Sequence, residues 1–352
     1  MIPEYNIYVH VPFCSSKCNY CAFFSHACAN PDWDQYADGI ISEINYWGKK
    51  LCAPDVATVF FGGGTPSLMP PQFFDKILTA IRKNFNLDQN CEVTLESNPG
   101  TINHDRLVDF CNAGVTRLSV GVQSLSDEKL KFLGRRHTVK DAMNLISDAI
   151  KQNIRLSADF IYGMPHDTTD DIIKMCQDIN SIGLRHCSLY ELTLEPNTVF
   201  GKMNLDMPSN TEMADMYMAI DDTLDLQRYE VSNYAAPGFE CAHNQNVWDG
   251  APYIGIGRGA AGRIKIGNQW YEQMGNNEVF AKIDSKTRAI ERIITGMRQV
   301  RGVKLDPGIQ KVINMDFVTS NPELLNMTTD NRIAATKQGM LILDDIILNM
   351  TR

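Results

Sequence analysis

No stretch of this 352-residue chain approaches the ~20 consecutive apolar residues that a membrane-spanning helix requires, so no span is expected. Positive charge is scarce. Lys and Arg number 33 against 42 Asp and Glu, a net charge of −9. A general polyanion binder needs a basic surface, so nucleic acid is not an expected partner. Met1 to Asn6 show no charged leader followed by an apolar segment, and a cytoplasmic location is the expectation. There is no short-period repeat and no low-complexity tract. No G-x-G-x-x-G follows the glycine-ending strand at 57–61, so a dinucleotide fold has no support.

The chain has an ordinary globular composition, 44% hydrophobic and 21% charged, and enough length for a large core with a smaller unit beside it. Ten cysteines in a cytosolic-looking chain do not suggest a disulfide framework. Seven of them (Cys28, Cys52, Cys91, Cys111, Cys176, Cys187 and Cys241) are scattered, and read as small buried apolar residues. Cys14, Cys18 and Cys21 lie within eight residues and need another explanation.

Up to about residue 204 the pattern alternates. Ile7, Val9 and Val11 read as a strand, and Trp33 to Leu51 as a helix. Further strands are expected at Ala57–Phe61, Val93–Glu96, Arg117–Val120, Leu156–Ile161 and His186–Tyr190. Helices are expected at Gln72–Asn84, Asp105–Ala113, Asp127–Phe132 and Lys140–Gln152, and from Thr169, where a Thr–Asp cluster supplies caps. Strands alternating with helices predict an α/β fold with a parallel sheet. Six units predict a partial (βα)6 barrel rather than a closed eight-stranded one. From 205 to 352 the rhythm changes: a helix near Met213–Leu226, a Gly- and aromatic-rich β-like stretch at Tyr229–Gly267, then a helical or winged-helix tail ending at Gly339–Leu348. The expected division is therefore 1–204 and 205–352, the second a smaller α+β domain.

The segment Val11-Pro12-Phe13-Cys14-Ser15-Ser16-Lys17-Cys18-Asn19-Tyr20-Cys21 spaces its cysteines C-x3-C-x2-C directly after the first strand. Loops at the C-terminal ends of parallel strands are where such folds place chemistry. Three neighbouring thiolates suit a soft metal centre, and a cubane cluster held by three leaves one iron open. A zinc site completed by a distant ligand, or a chance cluster of core cysteines, are the bland alternatives. Gly62-Gly63-Gly64-Thr65-Pro66 after the second strand allows close backbone approach, although alone it is a plain turn.

Together the two motifs resemble the radical S-adenosylmethionine (SAM) signature. The resemblance implies a [4Fe–4S] cluster on Cys14, Cys18 and Cys21, with SAM chelating the open iron and being cleaved to methionine and a 5′-deoxyadenosyl radical. It also implies that Tyr8, Gly63, Gly64, Thr65, Glu96, Gln123, Arg135 and Asp159 line the SAM site, with Tyr20 inside the cluster loop. Glu96 and Asp159 are charges inside apolar strands, which are costly to bury unpartnered, and this favours a role at the site. Capping or surface roles are the alternative for each of the others.

The order Tyr8-x-His10-x-Pro12-Phe13-Cys14, GGGTP, Glu96-Ser97-Asn98-Pro99-Gly100, Gly121-Val122-Gln123-Ser124 and Tyr162-Gly163-Met164-Pro165 is similar to one subgroup. This is the oxygen-independent coproporphyrinogen III oxidases and their haem-chaperone relatives, the HemW type. The oxidases carry a fourth cysteine two residues after the third, where this chain has Phe23, and a longer segment before the cluster loop, where this chain has thirteen residues. The chaperone branch carries His-Asn-x-x-Tyr-Trp, and here His243-Asn244-Gln245-Asn246-Val247-Trp248 stands. Val247 replaces the tyrosine, and Arg258 and Ala261 stand where relatives have a small residue and a histidine.

The implied function is a radical SAM protein that binds haem and transfers it to apo-haemoproteins, with an electron donor for the cluster. Porphyrinogen decarboxylation and a non-catalytic metal protein are the alternatives. His243, Asn244 and Trp248 are the candidate haem residues, with Tyr234, Phe239 and Tyr253 as possible walls; Cys241 is another candidate ligand, although burial is the better reason for it. Haem iron takes an imidazole well behind aromatic shielding, although a lone histidine is more often structural.

Overall fold

The computed structural model describes residues 4–274 and 279–351. Six strands follow one another in parallel: β1 (Tyr5–Val11), β2 (Asp55–Gly63), β3 (Asn86–Ser97), β4 (Arg117–Gln123), β5 (Arg155–Tyr162) and β6 (His186–Glu191). Helices α1 (Trp33–Lys50), α2 (Pro71–Asn84), α3 (His104–Ala113), α4 (Asp127–Phe132), α5 (Val139–Lys151) and α6 (Thr169–Ile182) connect them. The expected (βα)6 architecture is therefore present. Local signals explain the helix starts: Asp32 caps α1, Thr138 and Asp141 form a capping box on α5, and Thr168 and Asp171 form another on α6. β1 is buried along nearly its whole length, as a strand covered on both faces must be.

The chain beyond residue 204 extends the same sheet at both edges. After α7 (Asn210–Thr223), β7 (Gln227–Glu230) and β8 (Asn233–Ala235) join antiparallel beside β6. Helix α8 (Ala242–Trp248) follows. Then β9 (Tyr253–Ile256) returns to the opposite edge and pairs in parallel with β1, Tyr8 standing opposite Gly255. Strands β10 (Ala261–Ile266), β11 (Gln269–Met274) and β12 (Val279–Ile283) complete it. The order is β12-β11-β10-β9-β1-β2-β3-β4-β5-β6-β8-β7. The division expected after residue 204 thus falls within one continuous sheet, and β9 is a seventh parallel strand that periodicity does not reveal.

The main core runs from Tyr5 to Ile264, with Trp47, Phe61, Phe74 and Phe110 fully enclosed. A second core begins at Ala289 on α9 (Ser285–Met297) and ends at Met350. It joins the small sheet β13 (Val303–Lys304), β14 (Leu325–Met327) and β15 (Arg332–Ala335), ordered β13-β15-β14, to helices including Leu343–Met350. This α+β unit is smaller than the expected 205–352, because the strands between Gln227 and Ile283 belong to the main sheet.

Candidate functional site

The cluster loop leaves β1 and folds back on itself. Phe13 and Cys14 pair with His26 and Ala27, and Lys17 Nζ donates to the Phe23 and Ser25 carbonyls at 2.8 and 3.1 Å. Its far end is fastened to β1. His10 Nε2 must donate to the Phe24 carbonyl (2.8 Å), so Nδ1 is left to accept from the Tyr8 hydroxyl (3.1 Å). Cys14 is buried and Cys18 and Cys21 are half-buried; all three are free thiols and line one cavity of about 420 Å³.

The glycines make room for the protein itself. Gly63 has φ +115°, and a Cβ there would lie 2.7 Å from the His10 ring. A Cβ on Gly64 would lie 2.6 Å from the Phe13 carbonyl oxygen and 3.0 Å from Cys14 Sγ.

The strand ends close this upper cavity. It is lined by Tyr20, Gly63, Gly64, Thr65, Glu96, Gln123, Arg135 and Asp159. Asn98 Nδ2 donates to Thr65 Oγ1 (2.9 Å), so the Thr65 hydroxyl hydrogen is free to donate to Cys14 Sγ (3.6 Å). Arg135 Nη1 lies 3.3 Å from Cys18 Sγ, while Nη2 donates to Asn98 and to the Gly121 carbonyl. Arg135 Nε is buried without a partner among the described residues. Gln123 is held at φ +66°, a conformation uncommon for a side-chain-bearing residue.

Glu96 accepts from the Gly63 N–H at 3.0 Å. Burial, then the neighbouring Asp159 carboxylate, pushes its carboxyl up to about 8. Asp159 is raised by burial and held by the Ser119 hydroxyl at 3.0 Å. Burial raises the Tyr20 hydroxyl as well.

A second cavity, about 470 Å³, lies deeper in the barrel. Glu96, Ser119, Asp159 and Tyr190 border both cavities. Tyr8 stands on the wall of this inner cavity and not the upper one. The rest of the wall includes Phe60, Arg117, Asn233, Tyr253 and Ala261, with His243, Asn244, Val247 and Trp248 from α8.

Glu92 fixes the start of that helix. Its carboxylate accepts from the Ala242 and His243 N–H groups at 3.2 and 3.0 Å and from Cys241 Sγ at 3.6 Å. Cys241 is accordingly a buried structural thiol. His243 is 6% exposed and packs on the Phe60 ring, with centroids 5.0 Å apart. Its Nδ1 lies 2.7 Å from Thr58 Oγ1. Thr58 gives its hydroxyl hydrogen to Asn6 Oδ1 (2.7 Å), so Nδ1 carries a proton and Nε2 keeps its lone pair. Burial, then the Arg117 charge, holds the imidazole neutral, down to about 3. Of the proposed aromatic walls, Trp248 and Tyr253 line the cavity. Tyr234 and Phe239 do not: Tyr234 packs against Arg228, and Phe239 lies under Arg185 and Arg155.

Residues 8–179 match the Radical SAM superfamily model. Over 268 residues the chain is 37% identical to an Escherichia coli protein named "Heme chaperone HemW", covering 75% of this chain and 71% of that protein. The chain belongs to the HemW family of radical SAM proteins. A HemW of Synechocystis is 33% identical over 324 residues, covering 84% of this chain and 78% of its own length. The structure is similar to coproporphyrinogen III oxidase (HemN) from Escherichia coli, TM-score 0.80 at 20% identity, covering 99% and 90% of the two chains. At that identity the likeness is one of fold.

Membership of the superfamily implies a [4Fe–4S] cluster and SAM, and the residues of this HemW-family chain fit both. Two of the three sulfurs already face hydrogen-bond donors, Thr65 and Arg135, which suit thiolate charge. Among the described residues no three His, Cys, Asp or Glu side chains converge on a single ion. No helix among the described residues is long and apolar enough to cross a membrane.

Sequence reasoning missed Asn98, Arg117 and Glu92. Each carried a usable signal: Asn98 stands inside the ESNPG motif, and Arg117 and Glu92 are charges within apolar strands, the argument that singled out Glu96 and Asp159.

Proposed function

We propose that this chain carries haem as cargo and passes it to apo-haemoproteins, with the cluster and SAM serving delivery. The observation that carries the reading is His243: neutral, proton on Nδ1, lone pair on Nε2, on the wall of a cavity shared with Phe60, Trp248 and Tyr253. A ligating histidine is held this way, its other nitrogen donating to a fixed partner. Family membership with proteins named haem chaperones supports the same reading.

Asn244 and Trp248 border the haem position, and Val247 leaves room where a tyrosine would stand. Cys14, Cys18 and Cys21 hold the cluster. Tyr20, Gly63, Gly64, Thr65, Glu96, Gln123, Arg135 and Asp159 form the SAM pocket, while Tyr8 belongs to the wall of the inner cavity. The cluster needs an external electron donor, and the protein works in the cytoplasm. Phe23, 70% exposed at the position of the oxidases' fourth cysteine, separates the chain from porphyrinogen decarboxylation.

Titration of the purified protein with haemin, followed in the Soret band, tests the reading. Binding should weaken at least about 100-fold in His243→Ala and about tenfold in Thr58→Val, which removes the partner fixing the tautomer. An unchanged haemin spectrum with the native protein sinks the proposal.

A further inference from the structure

Arg117 is a buried charge without a direct partner among the described residues. Its side chain is 3% exposed and it borders the inner cavity. Every other arginine buried to a similar degree has a direct partner: Arg228 pairs with Asp221 at 2.7 Å and Arg288 with Glu291 at 3.0 Å. Arg117 has no side-chain hydrogen bond and no ion pair among the described residues. The acids around it are already engaged. Glu92 caps α8 and lies 3.9 Å from Arg155, and Asp159 takes the Ser119 and Ser157 hydroxyls. Glu96, the remaining carboxyl on the cavity wall, is held largely protonated near neutral pH by burial and by Asp159. Cys241, Glu92, Tyr229 and Asp159 influence Arg117 through space, and none of them hydrogen-bonds to its side chain.

An enclosed guanidinium without a partner is expensive. Its planar fork of donors matches a carboxylate, which can accept two of them side by side. Arg117 also lies close enough to His243 for its charge to help keep that imidazole neutral. One cavity wall therefore offers an iron ligand and an unused carboxylate receptor.

We propose that Arg117 is a carboxylate-recognition residue of the inner cavity, pairing with a propionate of the tetrapyrrole whose iron is held by His243. This rests on the haem-cargo reading and deepens it. Cargo is selected by its acidic edge as well as by its metal, so tetrapyrroles with blocked carboxyls are rejected.

The test compares haemin with its dimethyl ester, in which both propionates are uncharged, on the native protein, Arg117→Lys and Arg117→Gln. The native protein should bind haemin at least about tenfold more tightly than the diester. That gap should vanish in Arg117→Gln and survive in part in Arg117→Lys. The comparison is internal to each variant, so a general loss of stability does not imitate it. Haemin bound without preference over the diester by the native protein, or a gap that persists in Arg117→Gln, overturns the Arg117 assignment while leaving haem binding intact. Failure of the native protein to bind haemin at all overturns both readings.

Discussion

At the upper end of the barrel, the groups around the cysteines come from short runs of neighbouring residues. Cys14 to Ser25 supply one wall, Gly63 to Thr65 a second, and Glu96 to Asn98 a third. In the inner cavity no such run lies on the barrel strands. Tyr8, Phe60, Arg117, Asn233 and Tyr253 each come from a different strand, and only α8 contributes several neighbours. The upper site is built from the C-terminal ends of the strands and the loops that follow them, while the inner one is made by the scaffold's own curvature. The cysteines of the loop can be changed with the barrel intact. Residues of the inner wall carry binding and folding together.

The largest test of this division removes the thiolates. Replacing Cys14, Cys18 and Cys21 together by Ser should abolish iron uptake on anaerobic reconstitution, read as loss of the cluster absorbance and electron-spin resonance. Haemin binding to the inner cavity should stay within about threefold, since no cysteine of the triad borders it. A parallel loss of both would break the comparison.

Glu96 sits on the shared wall, so its titration should be felt at both ends. Its folded value of about 8 lies above the usual 4.5, so the folded state binds the extra proton between those values. The stability it contributes is full below pH 4.5 and is lost as pH rises through 8. The loss amounts to several kcal/mol, because each tenfold gain in proton affinity on folding is worth about 1.4 kcal/mol. Glu96→Gln should flatten that fall in urea-unfolding midpoints measured from pH 5 to 9. An equally steep fall in the variant would place the titrating group elsewhere.

A smaller effect is expected at Gly64. An added methyl meets the Phe13 carbonyl and Cys14 Sγ, so Gly64→Ala should cost about 2 kcal/mol and displace the first cysteine. Iron content and unfolding midpoint should fall together. A stable variant with full iron would show that the glycine serves a ligand and not the cysteine strand.

The six βα units and the three-cysteine loop were legible because each is a local pattern: an apolar run, a capping residue, a fixed spacing. Glu96 and Asp159 were legible because a charge inside an apolar strand is costly without a purpose. The inner cavity was not. Which side chains meet inside a barrel depends on register between strands far apart in the chain, and Tyr8 falls on the inner wall for that reason. Strand β9 has four residues, too few for alternation to show, and nothing in its composition declares a partner at the other end of the sequence. Arg117 was passed over although it carries the same signal as Glu96, because a positive charge at a strand start, Thr116-Arg117-Leu118, also reads as a solvated end.

The pairing of β1 with β9 sets an order of assembly. Asn6 bonds to the Pro252 carbonyl across 246 residues, whereas β1 meets β2 within the first sixty-three positions. Local pairings form first and distant ones last, because loop closure must precede the contact that rewards it. During synthesis the arc that carries the cysteine loop can zip up from the N-terminal side as each strand emerges. The cavity holding His243 is completed only when α8 and β9 arrive and dock. A ribosome stalled before residue 242 would thus present the cysteine loop on its strands without the inner cavity, so the two sites would be completed at different times.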